Sequence, residues 1–216
     1  MRGETLLRRI ALPAIAAAAL LAACSRSTAP DARRGASNSQ KMWSRIGDEL
    51  GRLAAAVKHR GRVVVVRLST SPETGEAQDY IEAAFRRRFG KSASAAVEID
   101  LLAVPETPRP ADAPMGLVIP RRPLDAALMG AAAAQAGPGG LIVSLMGEPS
   151  GPPPAGASWP SIVCFSSGGS TNLAHLVRAG VVAAAVAPRH TNPAADENDW
   201  YELRYTTVDR AGVDTW

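Results

Sequence analysis

The stretch Arg62-Val63-Val64-Val65-Val66-Arg67-Leu68 decides the fold. β-Branched residues follow one another with almost no polar alternation, the pattern of a strand covered on both faces. Such a strand needs helices above and below its sheet, and the flanking sequence supplies them. Upstream, Trp43, Ile46, Leu50, Leu53 and Val57 recur at three- and four-residue steps, giving one apolar stripe on a helix that begins near Ser39 as N-cap. Downstream, the polar loop Ser69–Gly75 leads into a helix from Glu76 to Phe89, with Ala77, Ile81, Ala84 and Phe85 facing inward. Its acids (Glu76, Asp79, Glu82) come early and its bases (Arg86, Arg87, Arg88, Lys91) late, an order that complements the helix dipole.

The same alternation of elements continues. Ala96 to Val104 reads as a second strand in which Val97, Ile99 and Leu101 alternate with Glu98 and Asp100; one wet face suits an edge position. Pro105 to Pro123 is a proline-rich irregular loop, and Pro123 opens an alanine-rich helix, Leu124 to Ala136, that ends before Gly137. Leu141–Met146, Ser161–Phe165 and Val181–Ala187 are three further apolar strands. A short helix through Leu173, Leu176 and Val177 stops at Gly180, and Tyr205 to Val208 forms a last short strand. The expected fold class is α/β: a three-layer αβα sandwich around a mostly parallel five- to six-stranded sheet, flavodoxin-like or Rossmann-like. Right-handed crossovers favour the order 2-1-3-4-5.

In such sheets ligands bind beyond the carboxyl ends of the strands. The candidate ligand-binding residues are therefore Ser69, Thr70 and Ser71 after the first strand and Glu148 after the third. Ser166, Ser167, Gly168, Gly169, Ser170 and Thr171 follow the fourth, and Arg189 and His190 the fifth. The small residues of Ser166–Thr171 let a backbone approach a ligand, and the next helix offers free N–H groups to an anion. That loop lacks the lysine of a P-loop and the spacing of a dinucleotide fingerprint, so no cofactor is expected. His59, His175 and His190 are scattered and no cysteines are paired, so no metal is expected either. A non-catalytic binding domain is the first reading. A serine hydrolase using Ser166 or Ser167 with His190, and with Asp196 and Asp199 nearby, is the alternative, although no nucleophile elbow is present.

The start of the chain sets its address. Arg2, Arg8 and Arg9 precede an apolar run, Ile10 to Ala23, that falls short of the roughly 20 residues needed to span a bilayer. The run closes on Leu21-Ala22-Ala23-Cys24, which resembles the lipobox of bacterial lipoproteins. That resemblance implies cleavage of residues 1–23, diacylglycerol on the Cys24 thiol and acylation of the new amine, an anchor of two or more chains. Residues 24–40, rich in Ser, Ala, Arg and Asn, then read as a flexible tether, and residues 41–216 as one α/β domain. The protein would face the periplasm from a membrane, and Ser25, by family analogy, favours the outer over the inner one. The leader carries three arginines against Glu4, so residues 24–216 keep only +2 of the formal net charge of +4. Neither that charge nor the compartment points to nucleic acid. With Cys24 acylated, Cys164 has no disulfide partner, and its apolar neighbours predict a buried, inert thiol.

The strand–loop–helix order of Arg62 to Val208 also resembles one lobe of a type I periplasmic substrate-binding protein. That family closes two lobes around a ligand, and this chain has room for one. The resemblance implies a small-molecule site or a surface for an envelope protein partner.

Overall fold

A computed structural model of the chain describes residues 37–69, 75–92, 98–105, 124–166, 171–190 and 200–216. Strand β1 (Val63–Leu68) is buried at every position, as its unbroken valine run requires. It lies between β2 (Ile99–Val104) and β3 (Leu141–Ser144), and the sheet continues through β4 (Ser161–Phe165), β5 (Val182–Pro188) and β6 (Tyr205–Asp209). The order is β2-β1-β3-β4-β5-β6, with β1 to β5 parallel and β6 antiparallel to β5. The expected doubly wound order therefore holds, with a reversed sixth strand added at one edge.

Strand periodicity divides the core in two. Val63, Val65, Leu141, Val143 and Val163 meet α1 (Asn38–Ala56) and α2 (Gly75–Ser92) through Ile46, Leu50, Ile81 and Phe85. Val64, Val66, Ile142, Ile162 and Cys164 meet α3 (Ala126–Ala136) and α4 (Thr171–Arg178) through Met129, Leu173 and Leu176. Each fully buried side chain of this size contributes about 1.5–3 kcal/mol relative to exposure. A short helix, α5 (Trp200–Arg204), precedes β6.

Helix α1 approaches α2 through Gly47 and Gly51, four residues apart. A Cβ on Gly47 would collide with the backbone oxygen of Ile81, and one on Gly51 would lie 2.8 Å from Arg88 Cβ. The glycines are there because two backbones meet.

Several boundaries differ from expectation, each for a local reason. Helix α1 begins at Asn38, so Ser39 lies inside it rather than capping it. Helix α3 begins at Ala126, where the Asp125 carboxylate accepts from Leu128 N at 2.8 Å and serves as N-cap; Leu124 instead bridges to Pro149. Strand β3 stops at Ser144 because its hydroxyl accepts from Met146 N at 3.2 Å, bending the chain. The edge position of β2 holds, but both its faces are partly covered: Ile99 packs on the α1–α2 side and Glu98 is exposed, as expected. Leu101 is 45% exposed, whereas Leu102 and Val104 pack into the core. Asp100 is partly covered, 3.5 Å from Arg62. The leader, Cys24 and most of the tether lie outside the described residues, as does the loop 106–123.

Candidate functional site

The chain leaves β1 toward β2 on one side, then crosses to β3 on the other, so loops after β1 and β3 border the switch in strand order. The end of β1 is fixed by a buried cation. Arg67, 6% exposed, donates from Nε to Leu68 O at 3.2 Å and from Nη1 to Glu82 Oε2 at 2.7 Å. Its Nη2 lies 2.7 Å from Asp79 Oδ1 as an ion pair without hydrogen-bond alignment. Burial disfavours the charge, but the Glu82 and Asp79 carboxylates more than offset it and hold the pKa above its ordinary value. Gln78 Oε1 accepts from Leu68 N at 3.0 Å, so α2 grips the strand end twice. Strand parity alone does not mark Arg67, because it does not show that α2 brings carboxylates to it.

Ser69 is exposed beyond this grip and donates its N–H to Val104 O at 2.7 Å. After β3, Glu148 is half-buried, and the loop is tied down by Asn172 Nδ2 donating to Pro149 O at 3.0 Å. After β4, Ser166 is fully buried with its N–H donating to Val186 O at 2.9 Å, while Thr171 is exposed at the start of α4. Burial, and secondarily the Glu148 charge, push the Cys164 thiol far above its ordinary pKa, so it stays protonated. Thr70, Ser71, Ser167, Gly168, Gly169, Ser170, Asp196 and Asp199 lie outside the described residues.

Arg189 and His190 sit where a concave surface does form. A cleft of about 470 Å³ beside the carboxyl end of β5 is lined by both residues with Thr206, Thr207, Gly212, Thr215 and Trp216. The Arg189 backbone N–H donates to Arg204 O at 2.8 Å, and Nη2 donates to Glu202 Oε2 at 3.1 Å. Its Nε is buried and has no acceptor among the described residues. The far wall is built by a return of the chain. Asp209 Oδ1 accepts from Ala211 N and Gly212 N at 3.0 and 2.9 Å, closing a turn that brings Trp216 back to β5. There Trp216 Nε1 donates to Pro188 O at 3.1 Å, and its ring lies 4.6 Å from the His190 ring at 45°. The indole is thus held at both its polar edge and its face. Arg189 and His190 are expected from their place at a strand end, whereas Thr206, Thr207 and Trp216 carry no such sequence signal. Only the reversal of β6 and the Asp209 turn bring these in, and neither has a local periodic signal.

Chemically, the cleft offers one guanidinium, one imidazole, hydroxyls and an immobilised aromatic wall. Such a set suits a small polar ligand with an anionic group. Among the described residues no cluster of His, Cys, Asp or Glu is arranged to hold a metal ion, and no helix is long and apolar enough to cross a membrane.

No protein-family model matches the sequence, and no curated protein matches it. Solved structures resemble its fold. The sugar-binding protein of a sugar ABC transporter from Bacillus halodurans is 14% identical with a TM-score of 0.44, the match covering 83% of this chain and 65% of that one. A periplasmic ribose ABC transporter protein from Conexibacter woesei is 14% identical with a TM-score of 0.49, covering 80% and 59%. The arabinose-binding protein AraP of Geobacillus stearothermophilus is 15% identical with a TM-score of 0.43, covering 83% and 63%. The chain spans less than two thirds of the length of each of these proteins and resembles them over most of its own.

Proposed function

We propose that this chain is a non-catalytic binding domain of the bacterial envelope, held at a membrane by lipid on Cys24, with its ligand site in the cleft beside β5 and β6. The observation that carries the ligand site is Arg189: its guanidinium lines a cleft walled by threonines and an immobilised tryptophan, positioned there by Glu202 at 3.1 Å. The ligand expected is a small polar molecule bearing a carboxylate or phosphate, its apolar face against Trp216.

A thermal-shift screen of sugars, amino acids and phosphates tests this. A hit should raise the melting temperature of the wild type and lose most of its effect in Arg189→Gln. A null screen, with pull-downs recovering a membrane complex, would move the function to a protein partner. A serine-reactive phosphonate is expected to leave the chain unlabelled; labelling that disappears in His190→Ala would establish the hydrolase instead. The anchor has its own test. Cys24→Ser should abolish palmitate incorporation and membrane retention, and an unprocessed, membrane-bound wild type would contradict it.

A further inference from the structure

A second concave surface lies on the outer side of the α1–α2 pair. Because Gly47 and Gly51 let these helices close, their outward residues meet in a groove of about 270 Å³ lined by Arg45, Asp48, Glu49, Arg52, Arg87, Arg88 and Lys91. Five cations thus face two carboxylates. The carboxylates are already engaged: Glu49, only 13% exposed, pairs with Arg45 at 3.3 Å and Arg52 at 2.7 Å. Asp48 pairs with Arg87 at 3.1 Å. Arg45 is further held 5.7 Å over the Tyr201 ring. Three guanidiniums are therefore braced from beneath, and among the described residues no carboxylate lies within ion-pair reach of Arg88 or Lys91. The groove's net charge of +3 exceeds the +2 that residues 24–216 carry in all. Dipole compensation accounts for bases late in α2, but not for Arg45 and Arg52 converging on them from α1.

We propose that this groove binds a phosphate group, with Arg88 and Lys91 as its direct contacts and the braced arginines supplying the surrounding field. The Arg88 fork, with no carboxylate against it among the described residues, can match a tetrahedral oxyanion bidentately, and Lys91 adds a point charge beside it. The phosphate can belong to a phospholipid headgroup or to a soluble molecule. The site is separate from the Arg189 cleft and does not depend on it.

Isothermal titration of the full chain in neutral detergent, with inorganic phosphate and with glycerophosphoglycerol as deacylated headgroup, tests the proposal. Saturable binding is expected at about 0.02 M NaCl and should weaken strongly at about 0.3 M. Arg88→Gln/Lys91→Gln should lower the affinity at least about tenfold, and Lys91→Gln alone by less, while Arg189→Gln leaves it unchanged. Binding of the headgroup without free phosphate assigns a lipid source; binding of both assigns a soluble one. No saturable binding of either probe, or equal affinity in the double variant, would overturn the site. A null ligand screen at the Arg189 cleft would leave this result untouched.

Discussion

Arg67 shows how a single residue can look like part of a strand and act as a fastening. Its valine neighbours satisfy the sheet, but its own charge is buried and depends on Glu82, itself shared with Arg86 at 2.7 Å. Removing one partner of a buried ion pair leaves the other uncompensated. Glu82→Gln should therefore destabilise the domain by about 3 kcal/mol, read as a shift in urea midpoint; an unchanged midpoint would mean that Asp79 alone suffices. Two other buried groups fix the alkaline behaviour. Burial raises the pKa of Cys164 from 9.0, and burial with Glu49 and Glu202 raises that of Tyr201 from 10.0. In both cases the folded state holds its proton more tightly than the unfolded chain. Their contribution is complete below the unfolded values and is lost as pH climbs above about 9. Melting temperature should accordingly decline from that pH upward, and Cys164 should resist alkylation until the protein unfolds.

At the level of elements, the glycines of α1 and α3 make opposite predictions. Gly47 abuts the Ile81 carbonyl, so Gly47→Ala should force α1 from α2 and cost about 1–3 kcal/mol. Gly130 in α3 has nothing within 4 Å of a built Cβ. There the substitution should add stability, about 0.5–1 kcal/mol from helix propensity. Calorimetric melting of the two variants decides whether contact or propensity governs each site. The contrast also marks what the sequence could convey. Periodicity located α1, and the four-residue spacing of Gly47 and Gly51 was available as a close-packing signal, but single-helix patterning scores glycine only as a weak helix former. Leu101 misled for a related reason. Alternation suggested one covered face, yet β2 packs Ile99 on one side and Leu102 and Val104 on the other, and where the neighbouring helices lie is not encoded within the strand.

For the whole molecule, the doubly wound order was legible because Val63–Val66 and Leu141–Val143 carry no polar alternation and must be central, while the acids of β2 mark an edge. Arg189 and His190 were legible as residues at a strand's carboxyl end. Trp216 and Thr206 were not, because they reach the cleft only through the reversed strand and the turn capped by Asp209. That arrangement divides stability unevenly. β1, β3 and β4 are sandwiched between helices and flanked by strands on both sides, whereas among the described residues β6 has a strand partner only on its β5 side. Backbone amides in the interior strands should exchange hydrogen only through global opening, and those of Thr206 to Val208 through cheaper local opening. A ligand seated against Thr206, Thr207 and Trp216 would bridge β5, β6 and the terminal turn. It should slow exchange at that edge by blocking the local openings there, and slow β1 and β3 only by what binding adds to the global unfolding free energy. Hydrogen-exchange mass spectrometry with and without a thermal-shift hit reads this directly. Local protection beyond that global increment at the loops after β1 and β3, and none at β6, would place the ligand at the switch in strand order instead of in the Arg189 cleft.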